Sequence, residues 1–139
     1  MNTCGVIIIY HKDDCKYIRC SCYEKTGIKK KEEYFQNGGK KEGVYKLYYW
    51  NEQISTEINY IDDKKNGEYK LYYENGQLSL EGNYIDDKIE GENKLYNKNG
   101  KIEYKCNYKN NKANGEYKKY DRNGQVIEEV IYINDKKVE

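Results

Sequence analysis

Glycine returns every 24 residues through the last two-thirds of the chain, at Gly43, Gly67, Gly91 and Gly115. Its neighbours return with it: Gly43-Val-Tyr-Lys-Leu-Tyr48, Gly67-Glu-Tyr-Lys-Leu-Tyr72, Gly91-Glu-Asn-Lys-Leu-Tyr96 and Gly115-Glu-Tyr-Lys-Lys-Tyr120 share one template. A fixed period of this length marks a repeat architecture, in which each unit buries its apolar side against its neighbours. Such a chain displays a long surface. No reaction centre is evident in it.

One unit reads as a hairpin. In residues 67–90, the short β-favouring segment Glu68 to Tyr73 is followed by Asn75-Gly76 and then by the alternating segment Leu78 to Tyr84. Asn-Gly suits a two-residue type I′ turn with both central residues at positive φ. That turn would set Tyr73 opposite Leu78, Leu71 opposite Leu80 and Tyr69 opposite Gly82. The Asp86-Asp87-Lys88 loop then leads into the next glycine. The expected fold is all-β: an elongated antiparallel β-meander of repeated 24-residue hairpins, about eleven strands in all. At about 4.8 Å per strand the sheet would run roughly 50 Å, and seven-residue strands make it about 24 Å wide.

This register separates two faces, because directly opposed residues point the same way. Tyr45, Leu47, Tyr49, Ile54, Ile58 and Tyr60, then Tyr69, Leu71, Tyr73, Leu78, Leu80 and Tyr84, then Leu95, Ile102, Tyr104, Cys106 and Tyr108 fall on an apolar side. The other side carries Lys46, Lys70, Lys94 and Lys118, with Tyr48, Tyr72, Tyr96 and Tyr120 two residues on. There Lys46 should face Glu57, Lys70 should face Glu81 and Lys118 should face Glu129, each pair stabilising by roughly 0.2–1 kcal/mol. One unit breaks the rule, since Lys94 would face Lys105.

Composition narrows the function. Charged residues make up 35% of the chain, yet the net charge is +1, which argues against a nucleic-acid partner. The 18 tyrosines against a single phenylalanine point to amphipathic rings on a half-wet sheet rather than a thick core. The bias toward Lys, Asn, Ile and Tyr suggests an AT-rich genome. The longest apolar run, Val6 to Tyr10, is too short to span a membrane. It also lacks the pattern of a signal peptide. Cytoplasmic localisation with reduced thiols is the expectation.

The chain divides into an N-terminal half-repeat or capping strand (1–14), a degenerate repeat (15–42), and four in-register repeats (43–66, 67–90, 91–114, 115–138). Residues 67–90 hold two lysines against six acids, and residues 91–114 hold six lysines against two acids. This dipole is either drift of solvent-facing residues or a pair of patches that orients a dimer. The final segment, Val126 to Ile133, is apolar on both faces, which either invites pairing with another chain or is met by fold-back of the C-terminal residues.

The pattern Tyr60, Gly67-Glu-Tyr-Lys-Leu-Tyr72 and Gly76 resembles the membrane occupation and recognition nexus (MORN) repeat. The second glycine of the usual Gly-x-Gly is replaced at Tyr45, Tyr69, Asn93 and Tyr117. In this the chain is more similar to the variant class found in bacterial proteins, some labelled antitoxin-like, and in large-DNA-virus proteins. The resemblance covers about residues 15–138. It implies scaffolding, dimerisation and contact with proteins or membrane surfaces, with no shared catalytic residues. A viral source would add virion association as an alternative to the cytoplasm.

Other chemistry has little support. Cys15, Cys20 and Cys22 with His11 make a zinc site conceivable, but the paired Cys-x-x-Cys spacing is missing. Buried or half-buried free thiols fit better. Asp62-Asp63 and Asp86-Asp87 read as turn caps, being too short for a calcium loop. No cofactor and no catalytic residue is expected. The first functional expectation is a non-enzymatic interaction or scaffold protein, with exposed Tyr48, Tyr72, Tyr96 and Tyr120 as anchors and the irregular Lys94 and Lys105 pair as a place for specific contacts. Its partner would be a protein, with self-association through the apolar face or the last strand. The alternatives are a peripheral binder of anionic membrane using unit 91–114 and an antitoxin-like neutraliser of a partner enzyme.

Overall fold

A computed structural model describes residues 3–10, 15–23 and 29–138, with side chains described from residue 32 onward. Fourteen strands form among them: β1 (Thr3–Tyr10), β2 (Cys15–Tyr23), β3 (Lys29–Asn37), β4 (Lys40–Lys41), β5 (Gly43–Tyr48), β6 (Ile54–Ile61), β7 (Lys64–Tyr72), β8 (Leu78–Ile85), β9 (Lys88–Ile89), β10 (Gly91–Tyr96), β11 (Ile102–Lys109), β12 (Lys112–Tyr120), β13 (Val126–Ile133) and β14 (Lys136–Val138). They make one antiparallel sheet in chain order, with β4 and β9 as short side branches on β3 and β8. The meander expected from the repeats is what the chain forms, with twelve strands on the main path rather than eleven.

The two kinds of turn differ from the expectation, and in effect they are exchanged. Tyr73 N donates to Gln77 O at 2.8 Å, and Gly76 N donates to Tyr73 O at 2.9 Å. The loop therefore has three residues, a type I turn ending in Gly76 at φ +84°, while Asn75 stays out of the left-handed region. Such a loop carries one extra residue into the ladder. The pairing shifts between Leu71 and Tyr72, so Leu78 faces Tyr72 and not Tyr73; Ile54 likewise faces Tyr48 and Ile102 faces Tyr96, which moves these three from the expected apolar side to the charged face. The type I′ turns lie at the opposite edge. Asp62 and Asp63 have φ +53° and +70°, and Asp86 and Asp87 have +46° and +67°. Asn110-Asn111 and Asn134-Asp135 repeat this geometry.

The acidic pairs do more than cap. Asp63 N donates to Lys41 O, and Asp63 Oδ1 accepts from Lys41 N at 2.9 Å, so each turn is clamped to the hairpin before it. The same double bond joins Asp87 to Lys65, Asn111 to Ile89 and Asp135 to Ala113. At the other edge, the Tyr73 hydroxyl donates to Tyr96 O at 2.7 Å, and that of Tyr49 donates to Tyr72 O. Neighbouring units are thus tied at both edges, which fixes the register of the whole sheet.

Successive units also alternate. β7 and β12 run straight through Gly67 and Gly115, whereas β4/β5 and β9/β10 are interrupted at Glu42 and Glu90. The amides of Glu42 and Glu90 turn away to Phe35 O and Asn83 O, both at 3.0 Å. Their carboxylates accept from Asp62 N at 2.9 Å and Asn110 N at 2.8 Å. Asn66 and Asn114 stand at the equivalent places in the uninterrupted units.

At the C-terminal side, β13 is followed by β14, which pairs with Ile131 to Ile133. The C-terminal residues thus fold back along part of the apolar segment, one of the two readings its sequence allowed, and leave the rest of β13 at the edge. Its Val130 is buried, while Val126, Ile127, Ile131 and Ile133 stay exposed.

Candidate functional site

The charged face is closed by its own side chains. One row crosses the sheet from strand to strand through directly opposed residues: Glu33, Lys46, Glu57, Lys70, Glu81, Lys94, Lys105, Lys118 and Glu129. Lys46 meets Glu57 at 3.9 Å, and Lys118 meets Glu129 at 3.3 Å. Lys70 instead reaches Glu68 at 3.9 Å, because Glu81 is engaged by Lys94 at 3.8 Å and by the Tyr96 hydroxyl at 2.6 Å.

Lys94 does stand opposite Lys105. Between them, Glu92 places one carboxylate oxygen 3.4 Å from Lys94 and the other 3.5 Å from Lys105. A like-charge pair would destabilise the sheet, and this bridge removes the repulsion. Next along the row, Lys118 bonds Glu116 at 2.9 Å. That contact holds the Glu116 carboxyl below its ordinary pKa and raises that of Lys118. The basic break in the pattern is thus surrounded by carboxylates.

The tyrosines of this face are not exposed as the sequence suggested. Tyr48, Tyr72, Tyr96 and Tyr120 are half-buried. The first three donate hydroxyl hydrogen bonds to Glu33 at 2.8 Å, Glu57 at 2.9 Å and Glu81 at 2.6 Å. Tyr120 has Lys105 at the place where those carboxylates stand. Burial, with Glu57 and Glu81 adding to it, pushes the Tyr72 and Tyr96 phenols up to about 12.

The opposite face is unfinished. Tyr69, Cys106 and Val130 are its buried apolar side chains among the described residues. Tyr69 packs on Tyr84 with ring centres 4.6 Å apart, and its hydroxyl accepts from Asn93 Nδ2 at 2.7 Å. Asn93 is buried, and its Oδ1 has no partner. Gly82 makes room for this group, since a Cβ there would lie 2.0 Å from Asn93 Oδ1 and 2.8 Å from Tyr69 Cε1. Elsewhere the face is a ladder of half-buried rings. Tyr34, Tyr45 and Tyr60 follow one another at 5.8 Å, and Tyr104, Tyr117 and Tyr132 at 5.7 and 5.9 Å.

Sequence inspection missed one device on this face. Lys41 Nζ stands 4.5 Å from the Tyr45 ring centre, 5.2 Å from Tyr60 and 5.3 Å from Tyr34. One unit on, Lys65 lies 5.1 Å above the Tyr84 ring. A cation over aromatic faces is attracted by their negative quadrupoles. The signal in the sequence was the lysine two residues before each of the first two glycines, Lys41 before Gly43 and Lys65 before Gly67.

The metal alternative of Cys15, Cys20, Cys22 and His11 falls outside the residues whose side chains are described. Among the described residues no group of three or more His, Cys, Asp or Glu is placed to hold a metal ion. No helix among them is long and apolar enough to cross a membrane.

Fold and faces together define a repeat protein of β-hairpins with two unlike faces. Residues 65–86, 89–110 and 113–134 match the family described as MORN repeat variant, and the chain belongs to that family. Each matched unit begins two residues before its glycine, at the position of Lys65, Ile89 and Ala113. Comparison with curated proteins gives no match. MORN repeats are non-enzymatic and mediate contacts with proteins or membranes.

Proposed function

We propose that this chain is an interaction module that takes a protein partner, or a second copy of itself, on the tyrosine-ladder face of its sheet. One observation carries this assignment: all the described strands lie in a single sheet, and its apolar face is left half-buried along most of its length. A face of this kind gains stability from being covered. Tyrosine suits it, because a rigid ring with a polar tip contributes much contact area for little conformational entropy. The charged face is a weaker candidate, since its row of lysines and the Tyr48, Tyr72 and Tyr96 hydroxyls already have carboxylate partners.

The experiment compares capture from the native source by two double variants. Tyr104→Ser with Tyr132→Ser alters the ladder, and Tyr72→Phe with Tyr96→Phe alters the charged face. Both should keep the far-ultraviolet spectrum of a sheet. Capture, and any self-association seen by light scattering, should fall only for the ladder variant. Loss confined to the charged-face variant would overturn the choice of face.

A second reading has its own observation. Lys40, Lys64, Lys88, Lys112 and Lys136 recur once per unit along the type I′ edge, all exposed. Exposed Ile61, Ile85 and Ile133 lie opposite Lys64, Lys88 and Lys136 in the ladder. Lysines near an anionic bilayer contribute about 1 kcal/mol each. The edge, rather than Lys94 and Lys105, would then face the membrane. Flotation with anionic liposomes tests it: salt-sensitive flotation abolished by Lys88→Glu and Lys112→Glu supports it, and no flotation rejects it.

A further inference from the structure

The first and fourth glycine-marked units contain the same aromatic cage, filled in one and open in the other. In the first, Tyr34, Tyr45 and Tyr60 surround the ammonium of Lys41. Three units later Ala113 occupies the position of Lys41, and the side chain ends at its Cβ. The rings nevertheless keep their arrangement. Tyr104 and Tyr117 are 5.7 Å apart and inclined at 33°, and Tyr117 and Tyr132 are 5.9 Å apart at 85°. In the filled cage the corresponding values are 5.8 Å at 40° and 5.8 Å at 69°. Tyr117 and Tyr132 are the repeat equivalents of Tyr45 and Tyr60. Tyr104 supplies the third ring from two residues along the strand, because Cys106 stands where Tyr34 would recur.

The open cage is a cavity of about 350 Å³, lined by these three rings with Tyr108, Cys106, Ala113 and Asp135. Its wall carries one carboxylate. Asp135 Oδ1 accepts from Ala113 N at 2.7 Å, as Asp63 Oδ1 accepts from Lys41 N in the filled cage. A cation entering the open cage therefore meets ring faces, as Lys41 does, beside a wall that carries a carboxylate. The two units between show how the series opens. In the second, Lys65 lies over Tyr84, Ile58 replaces one ring, and Tyr69 is held by Asn93. In the third, Ile89 and Asn93 remove both cation and cage.

The geometry points to a binding site for an alkylammonium group at Tyr104, Tyr117 and Tyr132, and to a lysine side chain of the partner protein as its occupant. Aromatic cages bind primary and methylated ammonium ions through the ring quadrupoles. A lysine is favoured over a choline head group because the equivalent cage already holds a lysine side chain at the same sheet surface. The site deepens the assignment of the tyrosine face as the contact surface, and its test needs no partner.

Ring-proton resonances of the full chain are followed by NMR during titration with butylammonium chloride, with sodium chloride as control and choline chloride as a second arm. Saturable shifts are expected at Tyr104, Tyr117 and Tyr132. Ala113→Lys should place the chain's own ammonium in the cage and weaken butylammonium binding by at least about tenfold. That variant should fold, because two other units carry lysine there. Lys41→Ala should open a second site, so that Tyr34, Tyr45 and Tyr60 also respond. Absence of a saturable shift, or a response unchanged by Ala113→Lys, overturns the site. Tighter binding of choline than of butylammonium overturns lysine as its occupant. Failure of the titration with intact ladder-dependent capture would sink the cage and spare the face; the reverse outcome would do the opposite.

Discussion

The two faces of this sheet solve the same problem in opposite ways. On the charged face, nearly every polar group finds a partner within the chain, down to the Glu92 bridge between Lys94 and Lys105. On the tyrosine face, Tyr69 and Asn93 are buried over Gly82, Cys106 and Val130 are buried further along, and the other described rings stay half-buried. A face that is already satisfied gains little from a partner. A half-buried aromatic face gains much. The difference teaches that, in this repeat, regular charge pairing marks structure and leftover apolar surface marks the place to look for contacts.

The broadest test of the contrast is pH. Burial pushes Tyr69 and Tyr108 up to about 12 on the tyrosine face. Burial, followed by the carboxylates of Glu57 and Glu81, does the same to Tyr72 and Tyr96. A phenol that ionises later in the folded chain than in the unfolded one stabilises fully below its ordinary pKa of 10, and that contribution is lost as pH rises through the folded value. Stability should thus be level from neutral pH to about 10 and collapse toward about 12. The ring resonances of Tyr69, Tyr72, Tyr96 and Tyr108, followed by NMR, should report ionisation together with the loss of circular dichroism. Early ionisation of these four rings in a still-folded sheet would contradict the burial of both sets.

Single substitutions sharpen the comparison further. Gly82→Ala drives a Cβ into Asn93 and Tyr69 and should cost about 3 kcal/mol in urea unfolding. Glu57→Gln on the charged face should cost under about 1 kcal/mol, because the pair it weakens is partly exposed. Equal costs would remove the energetic distinction between the faces. Asp87→Ala, at the edge shared by both, loses the acceptor for Lys65 N at 2.8 Å and puts alanine at φ +67°. A loss of about 2 kcal/mol is expected, with Asp87→Asn close to neutral. The smallest effect should be a gain. Glu52 sits at φ +69°, where the equivalent positions are Gly76, Gly100 and Gly124. Glu52→Gly should raise stability by about 0.5–1 kcal/mol, read as a higher melting temperature.

Much of this was legible in the sequence. Period-two alternation on either side of a repeating glycine is enough to separate the faces and to pair Lys46 with Glu57, Lys118 with Glu129 and Lys94 with Lys105. Turn type was not legible. Asn75-Gly76 and Asp86-Asp87 are both dipeptides that tolerate positive φ, and only the closing bonds from Tyr73 to Gln77 show which loop has three residues. The clamp from Asp87 to Lys65 was hidden because it joins residues one unit apart through a backbone amide, which any residue supplies. Exposure of Tyr48, Tyr72 and Tyr96 was misjudged for a related reason. Alternation gives the face a ring points to, while the diagonal reach of its hydroxyl to Glu33, Glu57 and Glu81 depends on strand geometry. The Lys41 cage draws its rings from β3, β5 and β6, so no local pattern announces it.

The most direct measurement of the central claim is a footprint of the tyrosine face in the bound state. Hydrogen exchange and tyrosine-selective labelling are compared for the free chain and for the complex captured from its native source. Protection confined to the Tyr104, Tyr117 and Tyr132 ladder and its neighbours, with Tyr72 and Tyr96 unchanged, is the predicted result. Protection of Tyr72 and Tyr96 with the ladder still open to reagent would contradict it.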